Sequence, residues 1–214
     1  MTSPARVAVI DNLPVILAGL RAVLPDVDFV AQASSVEQFM TLAPAVDVVV
    51  LDLKLTDPRS RAGLSGLAAV RAVTAAGCRV LVWTEEERPL ILAQCIRSGA
   101  RGISHKTDTP DRLEDAILTV AAGDAWFTTS ILGLAELADR RHGMPTVTER
   151  QRQVLRARAR GLSWDDIASD LYIVERTART HLTTLTNNFA TWLRETSPAD
   201  LEHHLGLRPG DIND

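Results

Sequence analysis

Residues 47–53 read Asp-Val-Val-Val-Leu-Asp-Leu, a run of four apolar residues, three of them valine, that ends in an aspartate. Three more segments along the chain are short and apolar and also end in a polar residue. In an open parallel α/β sheet, ligands bind beyond the carboxyl ends of the strands. We therefore expect the polar side chains that close these segments to meet at one small site, and they are Asp11, Asp52, Thr84 and Lys106.

The first part of the chain alternates between short apolar segments and longer segments with helical periodicity. We predict strands at 6–11, 28–33, 47–52, 79–84 and 101–105. We predict helices at 14–24, 35–43, 65–76, 88–98 and 110–122. Five βα units of this length form a parallel sheet with helices on both faces, because the crossovers are right-handed. The expected fold class is α/β, with a five-stranded doubly wound parallel sheet of the flavodoxin-like type.

The rest of the chain is predicted to be all-α. Thr148 with Gln151 and Ser163 with Asp166 have the spacing of capping boxes, so each pair marks the start of a helix. A short turn at 172–174 joins the second of these helices to a third, which predicts a helix-turn-helix. We place the boundaries at 1–124 for the α/β domain, 125–146 for a linker helix and 147–214 for the helix-turn-helix domain.

The composition allows two globular domains, since the chain has 214 residues, of which 46% are hydrophobic. Apolar runs stay well short of the roughly 18 residues of a membrane-spanning helix, and the first residues lack a secretory pattern. We therefore expect a cytoplasmic protein with no membrane partner. The net charge is −4, but the helical part between Thr148 and Arg194 has eight arginines against five acids. A basic surface there suits nucleic acid.

Two carboxylates, a hydroxyl and an ammonium at one site suit a divalent cation and a phosphoryl group. Asp11 and Asp52 offer the hard oxygen ligands that Mg²⁺ prefers, and Asp52 can also act as the nucleophile that takes the phosphoryl group. Lys106 would neutralise the phosphoryl oxygens, and Thr84 would donate a hydrogen bond to one of them. Aspartyl-nucleophile phosphatases need a second aspartate two residues after the first, where this chain has Lys54. We therefore do not expect an enzyme.

Residues 5–122 resemble a response-regulator receiver domain. The resemblance is carried by four segments in the order of the family, namely Val-Ile-Asp-Asn-Leu-Pro at 9–14, Asp-Val-Val-Val-Leu-Asp-Leu at 47–53, Val-Leu-Val-Trp-Thr at 80–84 and Gly-Ala-Arg-Gly-Ile-Ser-His-Lys at 99–106.

This resemblance implies that Asp52 is the phosphoacceptor and that Thr84 and Lys106 are the switch residues that respond to it. The implied cofactor is Mg²⁺, and its implied protein ligands are Asp11, Asn12, Asp52 and the backbone carbonyl of Lys54. Three features depart from the family pattern. Asn12 stands where the family has a second acid, and Ile103 stands where it has an aromatic switch residue. Thr56 stands where the family usually has proline, and the segment 57–65 that follows it is longer than usual.

A helix over 175–189 places apolar side chains on one face and polar or cationic side chains on the other. Residues 148–189 resemble the LuxR-type helix-turn-helix of the NarL/FixJ response regulators, through Gly161-Leu162-Ser163, Asp166-Ile167-Ala168 and Arg176-Thr177 among other motifs. The resemblance implies a dimer whose third helix of this region lies in the major groove. The implied DNA contacts are Arg176, Thr177, Arg179, Thr180 and His181. Val174 stands where the family has a serine cap.

These features together predict a DNA-binding transcriptional response regulator of a two-component system, switched by phosphorylation of Asp52. The expected partners are double-stranded DNA, a sensor histidine kinase and a second copy of the chain. Two alternatives stay open at this stage. The receiver can be an atypical one that acts without phosphorylation, as a dimerisation or ligand-reading module, and the helix-turn-helix can serve protein contacts.

Overall fold

The structure is a computed structural model, and it describes residues 4–55, 63–127 and 146–205 together with residues 208, 210 and 212. The chain divides into two compact units, Met1–Trp126 and Phe127–Asp214. Each unit has its own hydrophobic core, and each is described by itself.

The first unit contains a five-stranded sheet whose strands all run parallel. The strands are β1 (Arg6–Ile10), β2 (Asp28–Ala33), β3 (Val48–Leu51), β4 (Val80–Thr84) and β5 (Gly102–His105). Their order across the sheet is β2-β1-β3-β4-β5. All four residues of β3 are buried, as is typical of a central parallel strand covered by helices on both faces. The predicted fold class is confirmed.

Five helices of the first unit connect or follow these strands, and they are α1 (Pro14–Val23), α2 (Val36–Leu42), α3 (Gly66–Ala75), α4 (Pro89–Arg97) and α5 (Pro110–Ala121). Three of them, α1, α4 and α5, begin with proline, which lacks an N–H that the first helical turn would leave unpaired. Helix α2 begins differently, because the hydroxyl of Ser35 accepts a hydrogen bond from the backbone N–H of Gln38 at 3.2 Å.

A core cluster joins α1 and α5 to one face of the sheet. Alternate residues of a strand face the same side, so Val7 and Val9 of β1 pack with Val48 and Val50 of β3 in this cluster. The helices and the C-cap residue of α1, Leu24, contribute buried apolar side chains to it. Those within the helices are Leu20, Leu113, Ala116, Ile117 and Val120. This packing holds the strands in register and brings their carboxyl ends to a common edge.

The second unit is all-α in the residues described, with α6 (Glu149–Ala159), α7 (Trp164–Asp170), α8 (Glu175–Glu195) and α9 (Pro198–Leu205). The predicted capping boxes of α6 and α7 are both present and begin at Thr148 and Ser163. A small core forms where α6, α7 and α8 meet, and its buried members are Val154, Ala157, Trp164, Ile167 and Ala178. The predicted helical second domain with a helix-turn-helix is confirmed.

Helix α8 is longer than the sequence pattern predicted, because it ends at Glu195 and not at Phe189. Ala190 and Leu193 are buried, so the apolar stripe of the helix continues for more than one further turn. Although α8 has 21 residues, none of the helices in the described ranges is long and apolar enough to cross a membrane.

The predicted linker helix at 125–146 is wrong at its start. Trp126 forms an isolated parallel bridge with Gly102, accepts a hydrogen bond from the N–H of Ile103 at 2.8 Å and donates one to the carbonyl of Arg101 at 3.2 Å. Trp126 is also buried in the core cluster, which favours this extended backbone over a helical one. The rest of the predicted linker helix, 128–145, lies outside the described residues.

Gly102 and Gly19 form a matched pair for testing how tightly the first unit is packed. A Cβ at Gly102 would lie 2.6 Å from Val120 Cγ2 and 2.8 Å from Leu81 Cδ1, whereas a Cβ at Gly19 meets nothing within 4 Å. We expect Gly102→Ala to destabilise the protein by about 1–3 kcal/mol through overpacking. We expect Gly19→Ala, in the interior of α1, to stabilise it by about 0.5–1 kcal/mol. Urea unfolding measures both changes, and effects of the same sign would contradict the described packing.

Candidate functional site

Hydrogen bonds between the strand ends place the polar residues of the first unit side by side. The N–H of Asp52 donates to the carbonyl of Ile10 at 3.0 Å, and the N–H of Lys106 donates to the carbonyl of Thr84 at 2.9 Å. The residues that follow β1, β3 and β5 therefore share the carboxyl edge of the sheet with the last residue of β4. This is the edge where α/β sheets bind ligands.

Lys106 joins the two predicted acidic residues. Its ammonium Nζ lies 3.1 Å from Oδ2 of Asp11 and 3.1 Å from Oδ2 of Asp52. The side chains of the two aspartates are 1% and 7% exposed, and that of Lys106 is 15% exposed. Ion pairs at this depth are only weakly screened by solvent, so the charges of these three side chains interact strongly with one another.

The second oxygen of each aspartate is held by the backbone that follows it. Oδ1 of Asp11 accepts a hydrogen bond from the N–H of Leu13 at 2.8 Å. Oδ1 of Asp52 accepts one from the N–H of Lys54 at 3.2 Å. These local bonds stabilise the ionised carboxylates and direct both Oδ2 atoms towards the same cation.

The charges around Lys106 raise its pKa. Burial by itself lowers the pKa of the ammonium, but the hydrogen bond to Asp11 and the negative charge of Asp52 outweigh burial, and the pKa rises above its ordinary value. The ammonium also lies 5.2 Å from the centre of the Trp83 ring, a cation–π distance. The sequence-based prediction missed Trp83, although the tryptophan directly precedes Thr84 in β4.

Thr84 is fully buried at the end of β4, and its hydroxyl is connected to the loop that follows. The hydroxyl oxygen accepts a hydrogen bond from the N–H of Glu86 at 3.1 Å. The carboxylate of Glu86 in turn accepts two hydrogen bonds from the guanidinium of Arg88, at 2.8 and 2.6 Å, which lower the pKa of Glu86 to about 2. The loop after β4 is therefore bonded to the predicted switch hydroxyl.

The remaining predicted metal-site residues directly follow the two aspartates or lie two residues further along the chain. Asn12 follows Asp11 and is half-buried, and Lys54 is exposed, with its ammonium 3.9 Å from Glu85. Within the described ranges, no group of three or more His, Cys, Asp and Glu side chains could hold a metal ion. The two carboxylates that contact Lys106 are those of Asp11 and Asp52.

In the second unit, α8 carries the predicted DNA contacts at different depths. Arg176 and Thr180 are exposed, whereas Thr177, Arg179 and His181 are half-buried. The hydroxyl of Thr180 donates a hydrogen bond to the carbonyl of Arg176, one turn earlier, at 2.8 Å. Of the five predicted residues, Arg176 and Thr180 are the most accessible to a ligand.

Arg179 belongs to a contact that the sequence-based prediction missed. Two guanidinium groups lie over the ring of Trp164, with the Cζ atoms of Arg158 and Arg179 at 4.5 and 4.7 Å from its centre. Nε of Arg179 also donates to Glu175, one turn earlier on α8, at 2.6 Å. Cation–π contacts of this kind are worth about 0.5–2 kcal/mol each. They connect α6, α7 and α8 around one aromatic ring and orient the Arg179 side chain.

Comparison with known proteins agrees with this two-part architecture. A family profile described as bacterial regulatory proteins of the luxR family matches residues 145–191. A nitrate/nitrite response regulator protein homolog of Haemophilus influenzae is 31% identical over 195 residues, which span 86% of this chain and 90% of that protein. The chain belongs to the NarL family of response regulators. NarL of Escherichia coli, a nitrate/nitrite response regulator, is 29% identical to this NarL-family regulator over 188 residues.

Solved structures with the same fold cover nearly the whole regulator. RcsB of Salmonella enterica serovar Typhimurium, solved bound to a promoter in the presence of the phosphomimetic BeF₃⁻, has a TM-score of 0.54 and 20% sequence identity and covers 95% of this chain. ChrA, a response regulator of a heme-sensing two-component system, has a TM-score of 0.50 and 27% identity, with 94% of this chain and 100% of ChrA covered.

Family membership decides the class of function. This NarL-family regulator is a DNA-binding transcriptional regulator of the two-component type and not an enzyme. The alternative of a receiver that acts without phosphorylation is not favoured, because the relatives that match most of its length are response regulators or transcriptional regulatory proteins.

The two lysines of the chain provide a matched test of the buried ion pair, since Lys54 and Lys106 are the only ones. We expect Lys106→Met to lower the free energy of unfolding by about 2–4 kcal/mol at pH 7, because it leaves two buried carboxylates without their cation. We expect Lys54→Met to change it by less than about 0.5 kcal/mol, since its ion pair with Glu85 is exposed.

The pH dependence of the Lys106→Met effect follows from the raised pKa. A raised folded-state pKa contributes its full stability below the unfolded pKa of about 10.4 and loses it as the pH rises through the folded value. The difference between wild type and Lys106→Met should therefore be constant near neutrality and shrink in strong alkali. Urea unfolding at a series of pH values measures it, and equal losses for the two lysine variants would contradict the ion-pair assignment.

Proposed function

We propose that this regulator is switched by phosphorylation of Asp52 in residues 1–124 and acts through duplex DNA bound by residues 147–214. The observation that carries the first half is the ammonium of Lys106, 3.1 Å from the carboxylates of both Asp11 and Asp52. A buried pair of carboxylates with one shared cation is the charge arrangement that an acceptor for a phosphoryl group needs. The proposed donor is a sensor histidine kinase or a small phosphodonor.

In the proposed reaction, a carboxylate oxygen of Asp52 attacks the phosphorus of the donor, and the bond between phosphorus and the donor breaks. The new group brings about −1.5 to −2 charges into the site. Lys106 already lies beside Oδ2 of Asp52, so its ammonium can neutralise the phosphoryl oxygens without a large movement. Lys106 also donates a hydrogen bond to Asp11. Phosphorylation of Asp52 would therefore shift the ammonium of Lys106 between partners that it already contacts.

Mg²⁺ is the proposed cofactor, and its proposed ligands are Asp11, Asn12, Asp52 and the backbone carbonyl of Lys54. The donor chemistry fits, because Oδ2 of both aspartates faces a single cation and Mg²⁺ sites for phosphoryl groups need only one or two carboxylates completed by water. When bound, Mg²⁺ neutralises charge on the oxygens of the transferred group. Asn12 in place of an acid lowers the negative charge at the site, so we expect weaker Mg²⁺ binding than two adjacent acids give.

Thr84 and Lys106 are the proposed switch residues. The hydroxyl oxygen of Thr84 bonds to the N–H of Glu86, so rotation of the hydroxyl towards a phosphoryl group would reach the loop at 85–88. We infer that this change favours pairing of two chains in the cytoplasm. Two copies of α8 would then reach half-sites about one DNA turn apart.

The proposed DNA contacts lie on α8. Arg176 and Thr180 are exposed and are the proposed direct contacts, with Arg176 on phosphate. Thr177, Arg179 and His181 are half-buried, and we propose that they complete the same surface. The pairing of Arg179 with Glu175 offsets a carboxylate that would otherwise repel the DNA backbone.

Treatment with acetyl phosphate and Mg²⁺ tests the proposed phosphorylation. We expect the intact protein to gain the mass of one phosphoryl group and Asp52→Asn to gain none, because an amide cannot accept the group. Asp47→Asn is a matched control, since Asp47 accepts a hydrogen bond from Arg6 at the opposite end of β3 and should leave the gain unchanged. No gain at high donor concentration would favour a receiver that works without phosphorylation.

A gel-shift titration against salt tests the proposed DNA surface. We expect affinity to fall steeply with salt, and Arg176→Ala to reduce the slope of log affinity against log salt by about one, the effect of one lost phosphate contact. Arg71→Ala, which removes an exposed arginine of the first unit, is the control and should leave the slope unchanged. A DNA affinity that changes neither with salt nor with Arg176→Ala would favour a helix-turn-helix that serves protein contacts.

A further inference from the structure

The start of α8 breaks a rule that other helices of the second unit follow. Thr148 and Ser163 cap α6 and α7 with reciprocal hydrogen bonds, whereas Val174 precedes Glu175 with no side-chain cap. An N-cap hydroxyl stabilises a helix, so valine at this position is a loss for the fold. A local rule that is broken without a gain inside the fold points to a gain in function.

The turn before α8 is also unusually apolar for a surface. Val174 is 68% exposed and Tyr172 is 95% exposed, and both rank among the most accessible large hydrophobic side chains in the described ranges. Tyr172 has a φ of 54°, a left-handed conformation that non-glycine residues rarely adopt. Strained backbone of this kind clusters at binding sites, so the turn has the properties of a contact surface.

The charges next to Val174 favour a polyanion as its occupant. The N-terminus of a helix carries a partial positive charge, and the exposed guanidinium of Arg176 follows within the first turn. The one acid in that turn, Glu175, is paired with Arg179 at 2.6 Å. An apolar protein groove would not match these charges, whereas duplex DNA offers phosphates beside a major groove that contains apolar groups.

We propose that Val174 contacts the 5-methyl group of a thymine in the major groove and so determines which base is preferred at that position. The proposal rests on the DNA binding proposed above. Residues at the N-terminal end of a recognition helix contact base edges. Thymine is the base that presents a methyl group in the major groove, and apolar side chains recognise it by direct contact.

The experiment uses the full-length protein and a duplex selected by it from a library with random central positions. Each thymine of the selected duplex is then replaced, one at a time, by deoxyuridine, which lacks only the 5-methyl group. We expect one thymine per half-site at which the replacement weakens wild-type binding about fourfold, the effect of exposing one buried methyl group. Replacement elsewhere should leave the affinity unchanged.

Val174→Ser is the decisive variant, because serine supplies the missing helix cap and the protein should remain folded. It should bind the thymine and deoxyuridine duplexes equally, since it has no methyl group to contact the base. Val15→Ser is the matched control, because Val15 is an exposed valine of the first unit. This variant should keep the fourfold preference for thymine over deoxyuridine.

The outcomes separate this proposal from the one on which it rests. A selected duplex that tolerates deoxyuridine at every position overturns the role of Val174 and leaves the DNA-binding function intact. A fourfold preference that persists in Val174→Ser also overturns it, because another residue then reads the methyl group. A library from which no sequence is enriched overturns both proposals.

Discussion

The ammonium of Lys106 between two buried aspartates is the interaction on which the site of the first unit depends. Central parallel strands are buried on both faces, so polar residues find room only where the strands end. That constraint gathers Asp11 and Asp52 at one edge, where two unpaired negative charges would repel each other strongly in a poorly solvated environment. Lys106, from the end of a third strand, relieves the repulsion and ties the strand ends together.

In the second unit, the corresponding role belongs to an aromatic ring. Trp164 is buried at the start of α7. Its ring makes cation–π contacts with Arg158 of α6 and with Arg179 of α8. The arginines of this unit therefore do not all serve as a cationic surface, because Arg158 and Arg179 contact the buried ring of Trp164. Arg176 is one of the arginines of this unit that stay exposed.

Much of the first unit could be predicted from sequence, because apolar runs such as Val48–Leu51 identify buried strands and the parallel topology then fixes where their ends meet. The contacts of Trp83 and Trp164 could not be predicted, since their arginine and lysine partners are chosen by tertiary packing and leave no spacing in the sequence. The prediction of a linker helix was wrong at its start for a related reason, because the burial of Trp126 overrides the local preference for a helix.

The backbone bridge between Trp126 and β5 has a mechanical consequence. Ile103 and Arg101 each share a hydrogen bond with Trp126, and the next residue, Phe127, is where the second unit begins. The sheet is thus extended beside β5 by the backbone of Trp126. A displacement of β5 would therefore carry the backbone of Trp126 with it, because two hydrogen bonds join the two segments.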